Sequence, residues 1–131
     1  MINQTDVANG VPVLGEDERR VCERKDVRCE VWVSTKNYLE VGVMFLTTQR
    51  VVFVCSDPQD MISFECRIES MKDLGYYKKG DHRYFEGIVL GTDTINFCRF
   101  KFSYNQTGFR SIISLLFSLH QQIQFPLIKN Q

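Results

Sequence analysis

The chain has 131 residues, sixteen basic against sixteen acidic, and is 44% hydrophobic and 24% charged. That length suits one domain, which buries about two thirds of its unfolded surface and needs no disulfide or metal staple. A formal net charge of zero argues against a nucleic-acid-binding domain held by bulk electrostatics, so no direct nucleic-acid partner is expected.

Residues 1–15 are polar and aperiodic and read as a mobile lead-in. Residues 16–25 are densely charged and fit either a short helical turn or a first edge strand. Residues 27–33 alternate. Val27, Cys29, Val31 and Val33 share one face, and Arg28, Glu30 and Trp32 the other, which is the period of a half-buried strand. Residues 34–38 turn the chain into two apolar runs, 42–46 and 51–55, joined by Thr47-Thr48-Gln49-Arg50. The short polar linker predicts an antiparallel hairpin. Both faces of each arm are apolar, which places the hairpin at the centre of a sheet covered on both sides. Phe53 is expected in the core, and Gly42 is expected to admit nothing larger than Ala.

Residues 56–60 are loop chemistry, with Pro58 ending the ladder. Residues 61–68 alternate again, placing Ile62, Phe64, Cys66 and Ile68 inward. The pattern breaks over 69–73 and resumes as a short strand over 74–78. Lys79-Gly80-Asp81-His82 is a turn, and 83–90 return. A second turn at 91–94 leads to 96–102, with Cys98, Phe100 and Phe102 on one face. Seven short strands separated by turn signals predict a sandwich or barrel. The tail differs. Phe109, Ile112, Ile113, Leu116, Leu119 and Ile123 recur at helical steps, Asn105 or Thr107 is placed to cap the start, and Pro126 bars extension. The domain is expected over 16–125, with 126–131 as a short tail.

The central hairpin carries Gly42-x-x-x-Leu46-Thr47-x-x-Arg50-Val51-x-Phe53. This resembles the signature of GRAM domains, a branch of the pleckstrin-homology-like fold. Phe64, Met71-Lys72-Asp73, Tyr84-Phe85-Glu86-Gly87 and Phe100-Lys101-Phe102 extend the likeness over residues 27–122, toward the GRAM domain of the WW-domain-binding protein 2 kind. The resemblance implies a mainly β fold, a seven-stranded bent sheet or partly open barrel with a C-terminal capping helix. It also implies a non-catalytic adaptor with a protein partner, coactivator-like, in cytoplasm and nucleus. Two departures stand out. The chain has only Pro12, Pro58 and Pro126, so it holds no Pro-Pro-x-Tyr motif for WW domains. Pleckstrin-homology domains that grip phosphoinositides place several basic residues between the first two strands, where this chain has Ser34-Thr35-Lys36-Asn37-Tyr38.

No catalytic signature is present: no Gly-rich phosphate loop, no HExxH and no GxSxG. His82 and His120 lack metal-ligand spacing, and Asp57 and Asp60 lack the ligand series of a calcium loop, so no cofactor or metal is expected. His120 reads as a helix histidine bonded to a neighbour. Cys22, Cys29, Cys55, Cys66 and Cys98 are odd in number and without CxxC spacing, which predicts reduced thiols in an intracellular protein. No leader precedes the domain, and the apolar run near 112–119 is too short to span a bilayer, so neither secretion nor membrane insertion is expected. The most loaded surface stretch is YYKKGDHRYF, where Lys78, Lys79, His82 and Arg83 gather among aromatics. It reads either as a site for an acidic partner or weakly held acidic membrane, or as a charged tip that keeps a sheet edge soluble. Trp32 and Arg28 on one strand face read either as a protein contact or as a face covered by 16–25 or a neighbouring strand.

Overall fold

The computed structural model describes residues 3–4, 7–8, 10–33, 36–56, 63–90, 97–104 and 108–124. The strands among them are β1 (Asn3–Gln4), β2 (Val7–Ala8), β3 (Val11–Pro12), β4 (Arg20–Val33), β5 (Lys36–Thr47), β6 (Arg50–Cys55), β7 (Ser63–Arg67), β8 (Met71–Lys79), β9 (His82–Leu90) and β10 (Phe97–Tyr104). Helix α1 (Phe109–Gln124) follows. One antiparallel sheet runs in the order β1-β7-β6-β5-β4-β10-β9-β8, and β2 and β3 make a small separate ribbon. β8 and the β1–β7 end do not pair with each other, so the sheet is not closed. The turn Ile68–Ser70 links the two ends. The seven expected strands correspond to β4–β10, and the mainly β, pleckstrin-homology-like architecture with a C-terminal helix is present.

The central hairpin forms as expected, with Gly42 opposite Cys55 and Leu46 opposite Val51. Its turn is tighter than the four polar residues suggest, because Thr47 and Arg50 lie inside β5 and β6. The Thr47 hydroxyl accepts from the N–H groups of Gln49 and Arg50 at 3.1 and 3.0 Å, which ties the turn. Gly42 has less room than expected. A Cβ there would strike the Val54 carbonyl oxygen and lie 2.9 Å from the Phe53 ring, so not even Ala fits without movement.

β4 begins at Arg20, seven residues before the alternation becomes readable. Two irregularities, between Arg20 and Cys22 and between Arg24 and Val27, shift its phase, and Asp26 takes a φ of 59°. A further shift between Lys72 and Gly75 accompanies Asp73 at a φ of 54° and lets β8 start at Met71. Such bulges bend a strand and raise its twist.

The inner face holds Val27, Cys29, Val31, Met44, Leu46, Val51, Phe53, Cys66, Phe85, Phe100 and Phe102, all buried. Aromatic contacts run through it: Phe53–Phe102 at 6.3 Å, Phe100–Phe102 at 5.7 Å and Phe85–Phe100 at 5.5 Å. Helix α1 plugs this face with Phe109, Ile112, Ile113 and Leu116. Ile123, expected on the same stripe, is exposed, and Leu119 is only half-buried. Phe117 meets Phe85 edge-on at 5.7 Å and packs against the core. The expected helix cap, Asn105 or Thr107, lies outside the described residues.

Near the hairpin turn the outer face of β5 and β6 is covered as well, which buries Phe45 and Val52. β3 lies against β6, Pro12 is buried, and the Val13 carbonyl accepts from Arg50 Nη2 at 2.7 Å. Residues 11–18 thus lie on the sheet, a contact that their polar, aperiodic sequence does not announce.

Candidate binding surface

The β8–β9 hairpin positions the basic cluster. Gly80 and Asp81 form its two-residue turn, with Gly80 at a φ of 64° in the first central position, where a II′ turn favours glycine. Lys79 then faces His82, and Lys78 faces Arg83. Side chains alternate across a strand, so these two pairs lie on opposite faces. Lys79 and His82 point outward with Tyr77 and Tyr84. Lys78 and Arg83 share the inner side with Tyr76, whose hydroxyl lies 3.5 Å from Arg83 Nη1. The four predicted residues therefore gather at one tip but do not make one cluster.

The outward side is built on stacked aromatics. The Tyr77 and Tyr84 rings lie 5.2 Å apart at 21°, with His82 tilted 6.2 Å from Tyr84. Lys101 of β10 places its Nζ 4.6 Å from the Tyr84 ring centre, a cation–π contact. Tyr77 also lies 3.5 Å from Glu86 Oε2 through its hydroxyl.

Sheet order carries this surface further. Tyr84 faces Ser103, and Ser103 faces Arg28, so Arg28 stands two strands away on the same face, about 10 Å off at the usual strand spacing. Glu30 faces Lys101, and Trp32 faces Arg99. Arg99 Cζ lies 5.5 Å from the Trp32 ring. Of the two expected covers for Trp32, the neighbouring strand supplies one through Arg99. Residues 16–25 do not, since most of them continue β4 itself. Leu39 and Val41, at 53% and 45% exposed, continue the same face on β5. The structure thus joins Lys79, His82, Arg28 and Trp32 on one open face. It adds Lys101 and Arg99, which are legible as alternating strand cations but not as neighbours of the tip.

Arg50 of the central motif serves a different purpose. Its guanidinium donates to Glu18 through Nε at 2.7 Å and Nη2 at 3.1 Å, and to Glu65 through Nη1 at 2.7 Å. Thr47 donates its hydroxyl to Glu18 at 2.6 Å, and the Gly15 N–H donates to the other carboxylate oxygen at 2.9 Å. Burial works to raise the Glu18 pKa, but the bonds from Arg50, Thr47 and Gly15 outweigh it and hold the carboxyl below its ordinary value. This network is structural: it locks residues 13–18 onto the hairpin.

His120 Nε2 lies 2.9 Å from the Met71 carbonyl oxygen, the neighbour bond expected of it. Cys22, Cys29, Cys55 and Cys66 form no disulfide. Burial, with the charges of Cys66, Glu30 and Glu40 adding to it, pushes the Cys29 thiol well up. Among the described residues no group of His, Cys, Asp or Glu is placed to hold a metal ion, and no helix is long and apolar enough to cross a membrane. Asp57 and Asp60, and residues 34–35 of the expected headgroup loop, lie outside the described residues.

Comparison with known proteins agrees with this geometry. The chain is similar in structure to the Vps36 N-terminal PH domain, with a TM-score of 0.70 at 14% identity over 92% of each chain, a likeness of fold. No curated protein sequence matches it. The family model described as "GRAM domain" matches residues 11–125. With that match over most of its length, this protein belongs to the GRAM domain family.

Proposed function

We propose that the protein is a non-catalytic binding module, a protein-interaction adaptor of the coactivator-like kind found with the WW-domain-binding protein 2 GRAM domain, with no WW-domain-binding motif in this chain. The observation that carries this reading is the open outward face of β8, β9, β10 and β4. There Lys79, His82, Lys101, Arg28 and Arg99 stand among Tyr77, Tyr84 and Trp32. Aromatic and Arg side chains are the usual anchors of protein contacts, and the cations suit an acidic partner. The pleckstrin-homology-like fold and the GRAM family, whose domains serve generally to bind lipid or protein, support the class. A second reading, weak contact with an acidic membrane, draws on the exposed Lys78 and Lys79 at the tip.

The test is a paired pull-down from native lysate with wild type and a Lys79→Glu, Lys101→Glu double variant of unchanged circular dichroism. Specific partners retained by wild type and lost from the variant are expected. The same partners on both would remove this face from the account.

A further inference from the structure

The turn geometry fixes which way the β8 backbone faces. Lys79 and His82 flank a two-residue turn, so they are the hydrogen-bonded pair that closes it. Alternation makes Tyr77–Tyr84 and Gly75–Glu86 hydrogen-bonded pairs as well, and leaves Tyr76–Phe85 and Lys78–Arg83 as the non-bonded ones. The N–H and C=O groups of Tyr76 and Lys78 therefore point away from β9. β8 is the last strand of the sheet, and among the described residues nothing bonds to those four groups.

The same edge is closed further back. The register shift between Lys72 and Gly75 turns the Met71 carbonyl outward, and His120 of α1 meets it there. Phe109 at the other end of α1 lies 6.4 Å from Tyr76. From Phe109 to His120 the helix rises about 16 Å, and from Met71 to Tyr76 the strand covers about 16 Å. The helix thus runs antiparallel to β8 along its inner side and seals its edge only at Met71.

Charge selects what would fit the open part. Lys78 and Arg83 stand on one side of the hairpin and Lys79 and His82 on the other, with Asp81 as the acid of the turn. A strand laid beside Tyr76 and Lys78 would have Lys78 on one face and Lys79 on the other, with Arg83 and His82 one strand behind them. Lysines on an edge deter neutral strands from pairing with it; the same lysines favour an acidic one. We propose that the edge of β8 around Tyr76 and Lys78 takes up an extended acidic segment of a partner protein as an additional strand. Backbone bonds at Tyr76 and Lys78 hold it, and carboxylates lie beside Lys78 and Lys79. This deepens the protein-binding reading and rests on it.

The experiment is amide exchange by NMR on the full chain, titrated with a ten-residue peptide of Glu-Glu-Val-Val repeats, which carries carboxylates on both faces of a strand, beside one of Lys-Lys-Val-Val repeats. In the free protein the Tyr76 and Lys78 amides should exchange fast while Tyr77 and Lys79, bonded to β9, are protected. The Glu peptide should slow Tyr76 and Lys78 at least tenfold and leave Tyr77 and Lys79 nearly unchanged; the Lys peptide should do neither. Lys78→Pro removes the edge donor without breaking a β9 bond and should weaken binding at least tenfold. Lys78→Glu, which leaves the backbone alone, should do the same. Slow exchange of Tyr76 and Lys78 in the free protein, or no binding of the Glu peptide at millimolar concentration, would overturn the proposal. So would bound peptide that leaves those two amides fast, or undiminished binding to Lys78→Glu. If the proposal fails while the pull-down still separates wild type from the Lys79→Glu, Lys101→Glu variant, protein binding stands and only the edge is wrong.

Discussion

Gly42 and Phe53 meet across the β5–β6 pair. Gly42→Ala forces a methyl against the Val54 carbonyl and the Phe53 ring, so it should destabilise by about 1–3 kcal/mol, the usual cost of overpacking. Phe53→Ala opens a cavity beside Phe102 and should cost ~3–5 kcal/mol, a large share of a typical ~5–15 kcal/mol stability. Denaturant midpoints check both, and a Phe53→Ala midpoint equal to wild type would refute the core assignment. The need for a small residue at 42 was legible from its motif; that even a Cβ is excluded was not, because the obstacle is a backbone oxygen on the partner strand. The thiols belong to this scale too. Unreduced protein, unfolded and alkylated, should carry five labels, while a stable bridge would contradict the reduced state. In folded protein Cys29 and Cys66, both buried, should label after the half-buried Cys22.

At the scale of elements, the part of the fold least visible in the sequence is the clasp over the hairpin. Arg50 is bonded to Glu18 and Glu65, 32 and 15 residues away, and no periodicity connects them. The Glu18 pKa is lowered in the folded state, so its stabilisation is fully present above the ordinary value of 4.5 and is lost as pH falls through the folded-state value. Unfolding followed from pH 7 into the acid range should show that loss. Glu18→Ala leaves Arg50 short of a buried partner and should cost about 3 kcal/mol at neutral pH, with a flatter acid limb. Equal acid limbs for the two proteins would count against the clasp. Strand existence was easier to read than strand length. Residues 27–33 and 96–102 alternate cleanly, whereas residues 20–25 hide their strand because two irregularities break the phase. The same reasoning explains β8, whose first residues sit before a bulge.

For the whole molecule, seven strands and a closing helix were legible because each carries its own period and the turns punctuate them. The surface was legible only in part. Lys78, Lys79, His82 and Arg83 are adjacent in sequence, but the pleat divides them between two faces. Lys101 and Arg28 join Lys79 and His82 only because β10 lies between β9 and β4, an order the sequence does not display. The proposed function assigns binding to this open surface around a basic hairpin and not to a headgroup pocket. A basic residue near an anionic leaflet contributes about 1 kcal/mol, so Lys78, Lys79 and Arg83 together give at most roughly 3 kcal/mol, and less because the pleat turns them to opposite faces. A millimolar dissociation constant already corresponds to ~4 kcal/mol, so this patch alone does not hold the protein on a membrane. Vesicle co-sedimentation across a salt series tests the claim most directly, with phosphatidylserine vesicles beside vesicles of single phosphoinositides. The expected result is weak binding, indifferent to headgroup, that fades as salt screens the charges and vanishes in a folded Lys78→Glu, Lys79→Glu variant. Micromolar, salt-resistant binding to one phosphoinositide would contradict it and reveal a specific pocket.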